Sequence, residues 1–332
     1  MDNTQRKAPL GERIANIYNK VGVLAILIIL IIACSFISPV FLSKTNIINL
    51  LTQIAVVTIM ACGITMLIIC GNTDLSAGSM VALTGCVILG TYKKFTQVGT
   101  MSPVPGAICA MLIGIFISVV MYFLTACVLT KFHIPAFIVT LALNKVARGA
   151  VFIYTDGKVI NTIGEIVVIG QGKLLNFLPW PAVVMIIIAI ITWIILSKTR
   201  FGKYMYALGG NAEAARAAGI NESRVVITSY VVHGIFVAIA GALFMARMNS
   251  AQPSAAEGKE FDANTAAIIG GASLSGGTGT ATGTIIGSMI TGIITNILTL
   301  TSVQSYWQMI ITGLIIVAAV IIDTKTKGGK PR

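Results

Sequence analysis

Six stretches of this chain run without a charge: residues 21–43, 45–73, 101–130, 174–197, 225–246 and 263–322. Crossing a bilayer takes ~20 apolar residues in a helix, and the last stretch is long enough for more than one crossing. Of the 332 residues, 56% are hydrophobic and 10% charged, where a soluble domain carries about 25% charged. No single soluble core buries that much apolar surface. The chain therefore reads as an all-α polytopic membrane protein.

Spans fall near 21–42, 47–70, 77–92, 104–130, 134–155, 178–197, 225–246, 263–276, 280–300 and 304–322, about ten crossings. The first is too long for a signal peptide and ends without a small-residue cleavage site. Basic residues set the orientation. Arg6, Lys7, Arg13 and Lys20 precede the first span, Lys198, Arg200, Lys203, Arg216 and Arg224 fill a central loop, and Lys325, Lys327, Lys330 and Arg332 end the chain. Placing all three groups in the cytoplasm satisfies the positive-inside rule. The net charge of +12 is thus a topological signal, and no nucleic-acid partner is expected. Three segments follow: a cytoplasmic N-terminal stretch 1–20, a transmembrane domain 21–322 containing the loop 198–224, and a basic cytoplasmic tail 323–332. Lys145 and Arg148 fall within a span and must face protein or water.

Residues 71–80, GNTDLSAGSM, interrupt one of the most apolar regions. At an offset of 199, Gly71, Leu75, Ser76, Gly78 and Ala82 align with Gly270, Leu274, Ser275, Gly277 and Ala281, suggesting two pseudo-repeated halves. Interrupted hydrophobic segments in matching positions of two halves point to a transport path, and bare backbone at membrane depth is tolerated only inside protein or beside a wet cavity. Two readings stand. The stretch is a broken helix whose Asp74 caps the following helix, lines a path, or both; or it is a plain polar loop at the membrane surface. Asn72, Asp74, Ser76 and Gly78, with Ser273, Ser275 and Gly277, are the candidates for a path or its turns.

The central loop contains Glu213-Ala214-Ala215 followed by Gly219. Alanines favour a slim helix, Asn211 suits its N-cap and Gly219 its C-terminal stop. This E-A-A-x-x-x-G pattern resembles the coupling motif with which permeases of ABC importers dock on their ATPase. In order along the chain, GNTDLSAGSMVALTG, HIPAFIVTL, TRFGKYMYALGGNAEAARAAGI, GGASLSGGTGTATGTIIGSMI and SYWQMIITGLIIVAAVIID resemble the permeases of bacterial monosaccharide ABC importers. Those are of the ribose, galactose and methylgalactoside type, and the TDLSAG form and the YWQ-containing last span look closest to the galactose/methylgalactoside branch. The segment ALNKVARGA departs from the pattern of many relatives, which puts carry-over around Lys145 in doubt.

The resemblance implies a homodimer in the bacterial cytoplasmic (inner) membrane. It implies a cytoplasmic ATPase with two fused nucleotide-binding halves, and a periplasmic or lipid-anchored sugar-binding protein. It assigns Glu213, Ala214, Ala215 and Gly219 to ATPase coupling, and leaves ATP and Mg to the partner rather than to this chain. The charged loop with Arg247, Glu257, Lys259, Glu260 and Asp262, on the outer side by span count, is a candidate docking site for the binding protein.

Other chemistry is hard to place. Lys158, Lys173, Lys203 and Lys259 each follow a glycine, but none precedes Ser or Thr as in a phosphate-binding loop. The six cysteines lie in apolar runs without metal spacing, and His133 and His233 read as packed or interfacial side chains. No enzyme is expected. The alternative is an ion-coupled secondary transporter or channel for a small polar solute, which generally needs ionisable groups at membrane depth.

Overall fold

The computed structural model describes residues 10–97, 99–161, 164–175 and 177–326. Arg6, Lys7, Lys327, Lys330 and Arg332 lie outside the described residues. The chain is helical almost throughout. α1 (Leu10–Ile37), α2 (Lys44–Ile69), α3 (Ala77–Gln97), α4 (Pro103–Phe132) and α5 (Ala136–Thr155) form the first half. A connecting region follows, with strand β1 (Ile160–Asn161), a single turn α6 (Val168–Gln171) and a small hairpin of β2 (Lys173–Leu174) and β3 (Leu178–Pro179). Then come α7 (Trp180–Lys198), α8 (Arg200–Gly210), α9 (Ala212–Ala217) and α10 (Glu222–Met248). Strand β4 (Ser250–Ala251) pairs antiparallel with β1, and α11 (Lys259–Ile269), α12 (Ala281–Leu300) and α13 (Ser305–Thr326) complete the chain.

Among the described residues six helices, α2, α4, α5, α7, α10 and α12, are long and apolar enough to cross a membrane. The apolar parts of α1 and α13, Gly22–Ile37 and Ser305–Ile321, are shorter. Several boundaries differ from the sequence reading. The segment expected at 263–276 is a helix of only 11 residues that ends at Ile269, because Gly270 and Gly271 stop it. The boundary at residue 20 falls inside α1.

α2 and α10 form the centre. α2 is apolar all round, so no face prefers water, and it is almost wholly buried. Against α3, α10 packs backbone on backbone: a side chain at Gly241 would run into the Val81 carbonyl at 2.7 Å. Small residues at such crossings let helices gain close van der Waals contact where lipid offers no hydrophobic drive. The outer face is lined with exposed Ile, Leu and Phe on α1, α4, α5 and α7, as a lipid-facing surface requires. Of the cysteines, Cys34, Cys62, Cys70 and Cys86 are buried, and Cys109 and Cys127 are half-buried.

Candidate functional site

Between α2 and α3 the chain breaks rather than turning over a surface. Asp74 and Ser76 are fully buried and Ser79 is 1% exposed, so the surface-loop reading is set aside. The break opens with a left-handed glycine: α2 ends as Gly71 (φ 78°) donates to the Ile68 carbonyl and Asn72 to that of Leu67. This is the reciprocal helix stop that glycine favours. At the other end the Ser76 carbonyl accepts the first bond of α3, from Met80. Asp74 therefore acts two residues upstream of the cap, its Oδ1 accepting from the Ser76 N–H at 2.8 Å and from the Ser76 hydroxyl.

The other carboxylate oxygen ties the break to distant helices. Oδ2 accepts from the Tyr122 hydroxyl of α4 at 2.7 Å and bonds His233 Nε2 of α10 at 2.8 Å. The backbone is held equally firmly. The Thr73 carbonyl accepts from Tyr230, the Asp74 carbonyl from Asn264 of α11, and the Leu75 carbonyl from Asn144 of α5. The Leu75 N–H donates to Thr140. A buried polar network of this kind specifies one arrangement when its members are satisfied, and is costly when one is removed. His233 lies about 16 Å along α10 from Glu222 and about 22 Å from Met248 at 1.5 Å per residue, so the break is deep inside the bundle.

Tyr122, Tyr230, His233, Asn144 and Asn264 were not singled out as partners of Asp74 by the sequence. A signal existed: Tyr122 is the one polar ring in the uncharged span 104–130, and Tyr230 and His233 are the two in the uncharged span 225–246.

The second interrupted segment behaves similarly at its start. Gly271 (φ 92°) donates to the Ile268 carbonyl and Ala272 to that of Ala267. The matching helix stops are thus Gly71 and Gly271, one residue off the sequence alignment that paired Gly71 with Gly270. Here the carboxylate comes from elsewhere. Asp323 of α13 accepts from the Ser273 hydroxyl at 3.2 Å and from the Leu274 N–H. Ser273 is buried, Ser275 is exposed and Gly277 half-buried. The Gly277 N–H donates to the Ile69 carbonyl at 2.9 Å, so the two interrupted segments touch. Gly78, at the start of α3, packs against Glu260 and the Ala256 carbonyl.

That contact takes Glu260 out of the exposed docking loop expected from the sequence. Glu260 is 6% exposed, and the chain before it turns back inward, held by Arg148 hydrogen bonds to the Pro253 and Ala255 carbonyls at 2.7 and 3.0 Å. Lys259 pairs with Asp262 at 2.6 Å. Glu257 is exposed, while Lys259, Asp262 and, at the end of α10, Arg247 are half-buried. Arg148 also reaches Ser79 at 3.1 Å and so faces protein as required, whereas Lys145 is exposed on α5.

The central basic loop forms two helices. In α9 the Asn211 side chain caps the Ala214 N–H at 2.9 Å, and Gly219 (φ 82°) ends the motif as Ile220 donates to the Ala215 carbonyl. Glu213, Ala214 and Gly219 are presented outward, but Ala215 is buried against the chain itself. α8 locks this unit to the bundle: the Tyr206 hydroxyl donates to the Gly279 carbonyl at 2.7 Å, and Gly209 packs directly on the Ile69 carbonyl.

A bundle with six apolar spans, a deep broken helix and an outward-facing capped helix on a basic loop defines a multi-pass transport subunit of the inner membrane. The family described as "Branched-chain amino acid transport system / permease component" matches residues 46–320, and the chain belongs to that family. It is 38% identical to the ribose import permease protein of Bacillus subtilis (strain 168), over 93% of this chain and 94% of that one. To the ribose import permease protein of Escherichia coli (strain K12) it is 38% identical, over 90% and 92%. To the galactose/methyl galactoside import permease protein of the same strain it is 33% identical, over 91% and 93%. The resemblance to permeases of monosaccharide importers is borne out by these relatives, but not the branch: identity is higher to the ribose permeases than to the galactose/methyl galactoside one that the TDLSAG and YWQ motifs suggested. No solved structure matches the chain.

Proposed function

We propose that this chain is the transmembrane permease subunit of an ATP-driven monosaccharide importer, working as a homodimer with a separate cytoplasmic ATPase and a sugar-binding protein on the other side. The observation that carries the reading is α9, a short alanine helix capped at both ends and presenting Glu213 and Ala214 outward. It has the low profile suited to a groove on a partner. ATP and Mg belong to that partner.

Asp74 and Ser76 serve as the lock of the broken helix, since their oxygens are already taken up in the buried network. A path fits better in the crevice between α2 and α12, lined by Gln53, Ser288, Thr291 and Thr295, with the Lys259–Asp262 pair at its edge. Polar side chains inside a membrane belong beside protein or a wet cavity. The hydroxyls donate to carbonyls of their own helix and keep lone pairs for weak sugar contacts. The crevice holds ≈ 20 Å³, room for about one water, so passage requires it to widen.

Identity ranks the ribose permeases above the galactose one, which makes ribose the first sugar to test and galactose or methylgalactoside the second. The test is uptake of labelled ribose and galactose into liposomes holding this chain, its ATPase and the binding protein. ATP-dependent uptake of either sugar is the expected result. Uptake that persists without the ATPase and follows a proton or sodium gradient would instead favour an ion-coupled transporter, for which the buried Asp74–His233 pair would be the natural centre.

A further inference from the structure

At the end of α10 remote from the basic loop lies a pocket of ≈ 400 Å³, walled by the first turns of α2, the turn α6 and the β2–β3 hairpin. Lys44, Lys173 and Arg247 line it, together with Thr45 and Asn49, and among the described residues no carboxylate does. None of the three cations takes part in an ion pair among the described residues. Three unneutralised positive groups around one cavity, with hydroxyl and amide donors beside them, make a site for a multiply charged oxygen anion.

The surroundings indicate what carries that anion. Beside Lys173 the hairpin exposes Leu175, at 90%, and Phe177, and Trp180 follows at the start of α7. Leu175 lies in the left-handed region (φ 54°), which few leucines adopt. An exposed leucine and phenylalanine are unfavourable in water and suited to the acyl edge of a bilayer, and tryptophan at the first turn of a spanning helix marks the interface.

We propose that this pocket binds the phosphate of an anionic phospholipid, with Leu175 and Phe177 set among its acyl chains. The cations then meet the headgroup at the depth where Leu175, Phe177 and Trp180 meet the tails. An acidic face of a partner protein would match the charges but would leave Leu175 and Phe177 unexplained.

The test measures binding of phosphatidylglycerol and phosphatidylcholine to the purified full chain by native mass spectrometry. Thermal stability with glycerol phosphate and inorganic phosphate is followed in parallel. Phosphatidylglycerol should be retained and phosphatidylcholine lost. Lys44→Gln, Lys173→Gln and Arg247→Gln should each weaken retention, by about fivefold per cation removed, and Leu175→Asp should weaken it while leaving size-exclusion behaviour unchanged. Lys44 and Lys173 are exposed, so their variants remain informative if the half-buried Arg247→Gln fails to fold. Equal protection by inorganic phosphate would make this a free-anion site and overturn the proposal. So would undiminished lipid retention in the variants. Loss of binding-protein-stimulated ATPase activity with lipid retention intact would assign the charges to a protein partner and overturn it equally.

Discussion

His233 Nε2 lies 2.8 Å from Asp74 Oδ2, and Gly63 on α2 is the residue that leaves room for the imidazole. A methyl group at Gly63 would collide with His233 Nδ1. α2, α10 and the break between α2 and α3 therefore meet at one side chain. The pairing depends on a carboxylate, a ring and a missing side chain from three separate parts of the sequence.

Removing the carboxylate should separate its two functions. Asp74→Asn keeps an oxygen for the Ser76 N–H and should lose about 1–3 kcal/mol of stability with partial transport. Asp74→Leu strands the Tyr122, Ser76 and His233 donors together. It should cost about 3–5 kcal/mol, as when one partner of a buried pair is removed, and abolish transport. Thermal unfolding in detergent and sugar uptake measure both; parental behaviour in Asp74→Leu would refute the lock.

Gly63→Ala tests the same centre from the other side. The added methyl must displace His233, and overpacking of this kind costs about 1–3 kcal/mol. Unfolding midpoints should fall for Gly63→Ala, and fall less when it is combined with His233→Ala than the separate losses would sum to. Strict additivity would mean the two residues are not in contact.

On α9, neighbouring alanines should behave differently. Ala214→Trp places bulk on the outward face and should abolish copurification of the ATPase while leaving the melting temperature unchanged. Ala215→Trp pushes into the chain's own packing and should lower stability first. If both variants kept the ATPase, the helix would not be the docking element.

Gln53→Leu addresses the crevice. It removes a half-buried amide from a mostly apolar helix without touching the network at Asp74, so folding should hold. Sugar transport should fall by about threefold to tenfold, the worth of one hydrogen bond, in liposome uptake with ATP. Unchanged uptake would remove Gln53 from the path.

The break at residues 71–76 was legible because glycine, asparagine and aspartate have no place in a continuous apolar helix. α9 was legible because its signals, Asn211, the alanines and Gly219, are all local. The partners of Asp74 were not, since Tyr122 and His233 lie 48 and 159 positions away, and no periodicity links a carboxylate to a ring at that distance. Glu260 shows a related failure. Its charge reads as a water-facing loop, but Arg148, from another helix, draws the preceding carbonyls inward and takes the segment with it.

The way α8 meets the bundle sets the mechanics of the whole subunit. Gly209, the Ile69 carbonyl and the Gly277 N–H meet as backbone against backbone, with no rotamer between them able to absorb a displacement. Side-chain contacts give way like springs, but this joint is closer to a hinge pin. A push delivered to the basic loop reaches the ends of both interrupted segments with little slack, so each stroke of a motor docked there would arrive as movement rather than as heat.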